Sequence, residues 1–166
     1  MESYWAEASG DELWQGDLLL GCQVPRATDD WSDGQKMIVD TYDLIVATQT
    51  CEIEQKKVTV VSTCPVWTVE YFEKANPSIK GKWNEVLKGR RQGLHMLSSY
   101  VEASNNRMAL VVDFHLVFSL PYAYLQKHAV ALGHRPRLRS PWLEDFSQAF
   151  ARYFMRVALP SRIPNF

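Results

Sequence analysis

Asp43-Leu44-Ile45-Val46-Ala47-Thr48-Gln49-Thr50-Cys51, then a charged stretch from Glu52 to Lys57, then Val58-Thr59-Val60-Val61-Ser62-Thr63-Cys64-Pro65-Val66 decide the fold of this chain. Both runs are rich in β-branched residues, which suit a half-buried pleated surface. Both carry a Thr-Cys pair toward the end, Thr50-Cys51 and Thr63-Cys64, and the charged linker is short enough for an antiparallel hairpin. Upstream, Gln15-Gly16-Asp17-Leu18-Leu19-Leu20-Gly21 reads as another strand after a glycine turn. The expected fold class is α+β: a small SH3-like β-barrel with inserted helices and a packed C-terminal helix.

The rest of the chain fills out that frame. Residues 1–14 read as a short helix or irregular lead, with Trp5 and Trp14 as apolar pegs. Strand one is Leu18 to Val24. Met37 to Val39 and Leu44 to Thr48 make a second strand region, broken near Asp40. Thr68 to Lys74 reads as a helical turn and Ser78 to Leu87 as a helix capped by Ser78. Leu94 to Val101 is a strand, Asn105-Asn106-Arg107 a turn, and Met108 to Leu120 the longest β segment. Pro121 to Leu132 is a helix closed by Gly133, and Arg135 to Arg139 an extended basic segment. The clearest helix starts at Ser140 as N-cap and Pro141 as N1. There Leu143, Phe146, Phe150, Tyr153, Phe154 and Val157 recur at three and four residues. Residues 1–166 form a single domain, with the barrel core at about 15–120 and the last helix at about 140–159. Leu44, Val46, Val58, Val60, Val112, Phe114 and Leu116 are the expected core residues.

Composition bounds the function. The 166 residues carry a formal net charge of −1, unlike a general electrostatic nucleic-acid binder. The N-terminus has neither the basic nor the apolar region of a signal peptide. No run reaches the roughly 20 apolar residues of a membrane helix. Three cysteines without CxxC spacing suit structural thiols and a reducing cytoplasm. Asp29, Asp30 and Asp33 lack the ligand order of an EF-hand, and Cys22, Cys51, Cys64 and the four histidines match no zinc pattern. No metal or cofactor is expected.

Candidate site residues fall into three groups. Asp113 and His115 share one face of a strand, where a carboxylate can orient an imidazole for acid–base work and so support a hydrolase. The plain alternative is a hydrogen-bonded pair on the barrel wall. Lys88, Arg90 and Arg91, with the arginines at 135, 137 and 139, supply a basic patch for phosphates or for an acidic protein surface. Trp31, Trp142, Arg152 and Arg156 are candidate anchors for a protein partner, since aromatics and arginines dominate interfaces. Most of the six Trp, seven Tyr and seven Phe belong to the core.

Two resemblances extend this reading. Gln15-Gly16-Asp17-Leu18, the Leu44-Ile45-Val46 strand and Ser62-Thr63-Cys64-Pro65 make the chain similar to PemK/MazF-type toxins. Those are SH3-like barrels, many of them endoribonucleases acting on single-stranded RNA. The resemblance implies Thr63 as the candidate catalytic residue. The family's catalytic arginine precedes the second long strand, and Thr41-Tyr42-Asp43 stands there instead. Thr48-Gln49-Thr50-Cys51 and the block from Phe150 to Pro160 also resemble uncharacterised bacterial proteins of defence loci. The size is similar to that of the small accessory proteins beside type III-E CRISPR effectors, which act with a protease, its substrate and a sigma factor. The first expectation is therefore a non-catalytic, cytoplasmic accessory subunit of a prokaryotic antiviral defence or toxin–antitoxin-like system. It would join another protein of its locus in a hetero-complex and regulate a partner such as a sigma factor or CRISPR-associated protein. The second is an endoribonuclease using Thr63 with arginines of the 88–91 loop.

Overall fold

A computed structural model describes residues 3–27, 37–55, 58–101 and 108–155. The chain is α+β, with two antiparallel sheets and five α-helices among these residues. The strands are β1 (Trp5–Ser9), β2 (Leu18–Arg26), β3 (Ile38–Val46), β4 (Val60–Thr68), β5 (Leu94–Leu97), β6 (Leu110–Asp113), β7 (Phe118–Pro121) and β8 (His134–Leu138). The helices are α1 (Thr50–Glu54), α2 (Val69–Ala75), α3 (Trp83–Leu87), α4 (Tyr122–Leu132) and α5 (Trp142–Phe154). The larger sheet runs β2-β3-β4-β6-β5, and β7 also pairs with β4. The path has two ends: no pairing among the described residues joins β2 to β5.

The deciding stretch does form an antiparallel pair, with Asp43 opposite Val66 and Val46 opposite Thr63. Its connector is not a bare turn. α1 occupies it, and the Thr48 hydroxyl accepts the Ser62 N–H at 2.8 Å where the strands part. Leu44, Ile45 and Val46 are all fully buried because the sheet is covered on both faces. Leu44 and Val46 pack with Val61, Leu120 and the α4 residues Leu125 and Ala129. Ile45 packs with Cys64, Val112, Phe114 and Phe146 of α5. A third cluster joins Phe72, Ile79 and Val86 to Leu94 and Val111.

Several expectations need correction. Residues 5–9 are not helix but strand, paired with β8 in a separate two-stranded sheet. β3 runs unbroken through Asp40. The segment 78–87 is a 3₁₀ turn (Pro77–Ile79) and a separate α3, because Gly81 adopts φ +77° between them. The Met108–Leu120 strand is two strands. The Asp113 carboxylate accepts the His115 N–H at 3.0 Å, an Asx turn that needs neither Gly nor Pro. That turn leaves Leu116 43% exposed, and Val60 is 47% exposed, so neither is core. Leu44, Val46, Val112 and Phe114 are buried as expected. The Asn105–Arg107 turn and the acidic loop around Trp31 lie outside the described residues.

The late helices follow their patterns. Gly133 closes α4 at φ +75°, a conformation that strains other residues. α5 buries Phe146 and packs Leu143, Phe150 and Tyr153 against the same core, while Phe154 is exposed. Pro141 is its N-cap position; the Ser140 hydroxyl donates to Glu144 instead of capping the backbone.

A buried ionic knot ties the small sheet to the large one. Asp17, fully buried at the start of β2, accepts from Arg135 Nε at 2.8 Å and from Arg137 Nε and Nη2. Arg135 also donates to the carbonyls of Gly10 and Glu12, and Arg137 lies 4.3 Å from the Trp14 ring centre. The expected basic patch at 135–139 is thus largely consumed by structure. A buried pair of charges costs desolvation unless every donor is matched, and here Asp17 and two backbone carbonyls match them.

Candidate binding cleft

A cavity of about 900 Å³ lies along β5, between the turn that follows α3 and the inner side of α5. The alternation of β5 builds its floor. Leu94 and Met96 face the α2–α3 cluster, while Leu97 lies in the Phe114–Phe146 cluster, where the His95 ring sits parallel to Phe114 at 6.2 Å. One wall carries Trp83, Leu87, Lys88 and Arg91; the other carries Trp142, Asp145, Arg152 and Tyr153. The structure therefore brings together residues the sequence offered separately. Lys88 and Arg91 from the basic loop share the cleft with Trp142 and Arg152 from the partner-anchor set. Arg90 is exposed and does not line it. Trp31 and Arg156 lie outside the described residues.

The cleft has two unlike ends. Lys88 and Arg91 immediately precede β5. Arg152 sits in the last turn of α5, next to Tyr153, whose ring is 6.1 Å from Phe114. Three cations therefore gather at the Gly93 end. At the other end Trp5 Nε1 donates to the Ser98 carbonyl at 3.0 Å, and Tyr4 stacks near Trp142 with ring centres 4.6 Å apart. Burial pushes the Tyr4 hydroxyl up to about 12, so it is neutral. Two carboxylates also line the cleft. Glu73 accepts from Trp83 Nε1 at 3.0 Å, and Asp145 lies 4.0 Å from His95 Nε2. Burial holds the His95 imidazole below its ordinary range, with Asp145 opposing the shift.

The catalytic candidates are placed differently. Thr63 is fully buried, and its hydroxyl donates to the Phe118 carbonyl at 3.1 Å. His115 Nδ1 lies 2.6 Å from Asp113 Oδ1, so the expected pair exists. Its ring packs on Gly93, where a Cβ would come within 2.3 Å, and edge-on to Tyr153 at 5.5 Å. None of these contacts brings it a serine, threonine or cysteine. The same Asp113 oxygen holds the His115 main chain, which makes the pair the stitch of the β6–β7 turn. Burial pushes the thiols of Cys22 and Cys64 up to about 12, keeping both protonated and unreactive. No group of three or more His, Cys, Asp or Glu is placed to hold a metal among the described residues. No helix there is long and apolar enough to cross a membrane.

Sequence reasoning did not single out Tyr4, Leu94, Met96 or Asp145. No spacing rule marks them; they meet only because β1, β5 and α5 converge. No family model, curated protein or solved structure matches the chain.

Proposed function

We propose that the chain is a non-catalytic protein-binding module, a cytoplasmic accessory subunit of a prokaryotic defence or toxin–antitoxin-like system. Its β5–α5 cleft takes an extended, acidic segment of a protein partner from the same locus. The observation that carries this reading is the convergence of Lys88, Arg91 and Arg152 on one end of a cleft with an apolar floor. Cations of like sign held together at a rim repel one another and favour an anionic partner. The curled sheet, with β4 shared between β6 and β7, is taken as an opened variant of an SH3-like barrel. The competing reading, a PemK/MazF-like endoribonuclease, would use the same cations for phosphates. It is disfavoured because the Thr63 hydroxyl is buried and committed to Phe118.

Fluorescence polarisation with a labelled glutamate-rich peptide tests the proposal. Binding should weaken about tenfold or more in the double variant Lys88→Glu, Arg152→Glu and fall steeply with salt. Wild-type affinity in that variant, or binding of mixed-sequence single-stranded RNA in place of the peptide, would defeat it.

A further inference from the structure

An open sheet has two outer strands, and an unpaired outer strand is a template for another chain. Here β2 and β5 end the main path, and β7, paired only with β4, ends a side branch. The protein closes the first with side chains of α4. The Tyr124 hydroxyl accepts the Gln23 N–H at 2.8 Å and donates to the Gln23 carbonyl at 2.9 Å. His128 Nε2 lies 2.7 Å from the Leu20 carbonyl.

β5 has no such guard. The Phe114 N–H bonds the Gly93 carbonyl at 2.8 Å, with Leu94 opposite Asp113 and Met96 opposite Val111. In an antiparallel ladder, bonded and non-bonded pairs alternate. Residues 93, 95 and 97 therefore turn their main-chain groups to β6, and Leu94 and Met96 turn theirs away from it. The Asp113 carbonyl, opposite Leu94, agrees with this phase, because it accepts from Leu116. Both Leu94 and Met96 line the cleft. Among the described residues nothing pairs with their outward groups.

We infer that β5 is a receptor edge, to which an extended acidic segment of a protein partner adds as an antiparallel strand, bonded through the main chain of Leu94 and Met96. This rests on the reading of the cleft given above and adds its binding mode and direction. Strand addition draws affinity from main-chain bonds and specificity from side-chain pockets. An antiparallel strand would run from the Tyr4–Trp142 end to the Gly93 end. Its apolar residues would come first and its acids last, where Lys88, Arg91 and Arg152 wait. Asp145 and Glu73 disfavour the reverse order, since they would face the acids along the cleft.

The probes are two labelled octapeptides, Val-Tyr-Val-Ile-Glu-Asp-Glu-Glu and the same residues in reverse order. A third is the first peptide with N-methyl groups at alternate residues. Polarisation measures affinity for the full chain, and NMR hydrogen exchange follows individual amides. The first peptide should bind about tenfold tighter than the reversed one and than the N-methylated one. On binding, exchange at the Leu94 and Met96 amides should slow by about tenfold or more, while Gln23, already bonded, stays unchanged. Met96→Pro, which removes one outward N–H, should lose binding, and its melting temperature will also fall because the Met96 side chain packs in the α2–α3 cluster. The N-methylated probe makes the same test without altering the protein. If the first peptide binds with both amides still exchanging freely, or no better than its N-methylated form, strand addition is overturned and the reading of a cationic cleft for an acidic segment stands. If no acidic peptide binds, or only RNA does, both fall.

Discussion

Asp17 Oδ2 accepts the Arg135 Nε–H at 2.8 Å, and both side chains are fully buried. Arg137 shares the same carboxylate. Removing the acid strands a guanidinium in the interior, a loss that measures about 3–5 kcal/mol for buried pairs. Asp17→Ala should therefore lower the urea midpoint severely. Arg137→Gln, at a partly exposed position, should cost much less. Equal losses in the two variants would show that Arg135 is not the dependent partner.

Val60 and Val61 are neighbours on β4 with opposite fates. Val61 is fully buried against Leu44 and Leu125, whereas Val60 is 47% exposed. An unpaired carboxylate in a core costs several kcal/mol. Val61→Asp should unfold the protein, and Val60→Asp should change the melting temperature little. Circular dichroism melts of the two variants decide this directly.

Tyr124→Phe removes both bonds to Gln23 and opens the outer edge of β2. Each lost bond contributes about 1 kcal/mol, less where water can replace it. Beyond that modest loss, an unguarded edge invites pairing with a second copy. Light scattering should show concentration-dependent association in the variant at concentrations where the wild type gives none.

His95 makes stability depend on pH in a definite direction. Burial lowers its folded pKa below the unfolded value near 6.5. The unfolded chain therefore binds the proton first as pH falls. The contribution is fully present above about pH 6.5 and is lost progressively below it, down to the folded pKa. His95→Gln should flatten this part of the stability profile. An unchanged slope between pH 7 and 5 in the variant would assign the effect to another group.

Mixed-sequence single-stranded RNA should remain intact after an hour with micromolar protein. Thr63→Ala should cost stability, through the lost bond to the Phe118 carbonyl, and change no cleavage. RNA cutting that disappears in Thr63→Ala would restore the endoribonuclease reading.

What the sequence revealed was what local patterns encode. The β3–β4 pair follows from two β-branched runs, α4 from its closing glycine, and α5 from its repeating aromatics. What it hid was set by distant partners or by single side chains. β1 is a five-residue strand only because β8 accepts it. The break at Asp113 depends on one carboxylate folding back on its own main chain. The helix in the hairpin connector is one turn long, too short for periodicity to register. The cleft was half visible. Lys88, Arg91, Trp142 and Arg152 were identifiable as exposed cations and an aromatic. Their meeting depends on α5 packing over one face of the sheet beside a four-residue strand, which no spacing in the chain describes.

The pairing of β1 with β8 sets a timetable for folding. The Arg135 bond to the Gly10 carbonyl joins residues 125 apart in the chain, and closures over such separations slow folding. The β2–β3–β4 pairing is local and available early in synthesis. The small sheet, and with it the Tyr4–Trp142 end of the cleft, cannot form until β8 and α5 have been made. On the ribosome the β2–β3–β4 sheet would therefore precede the cleft, which needs β1, β5 and α5 together.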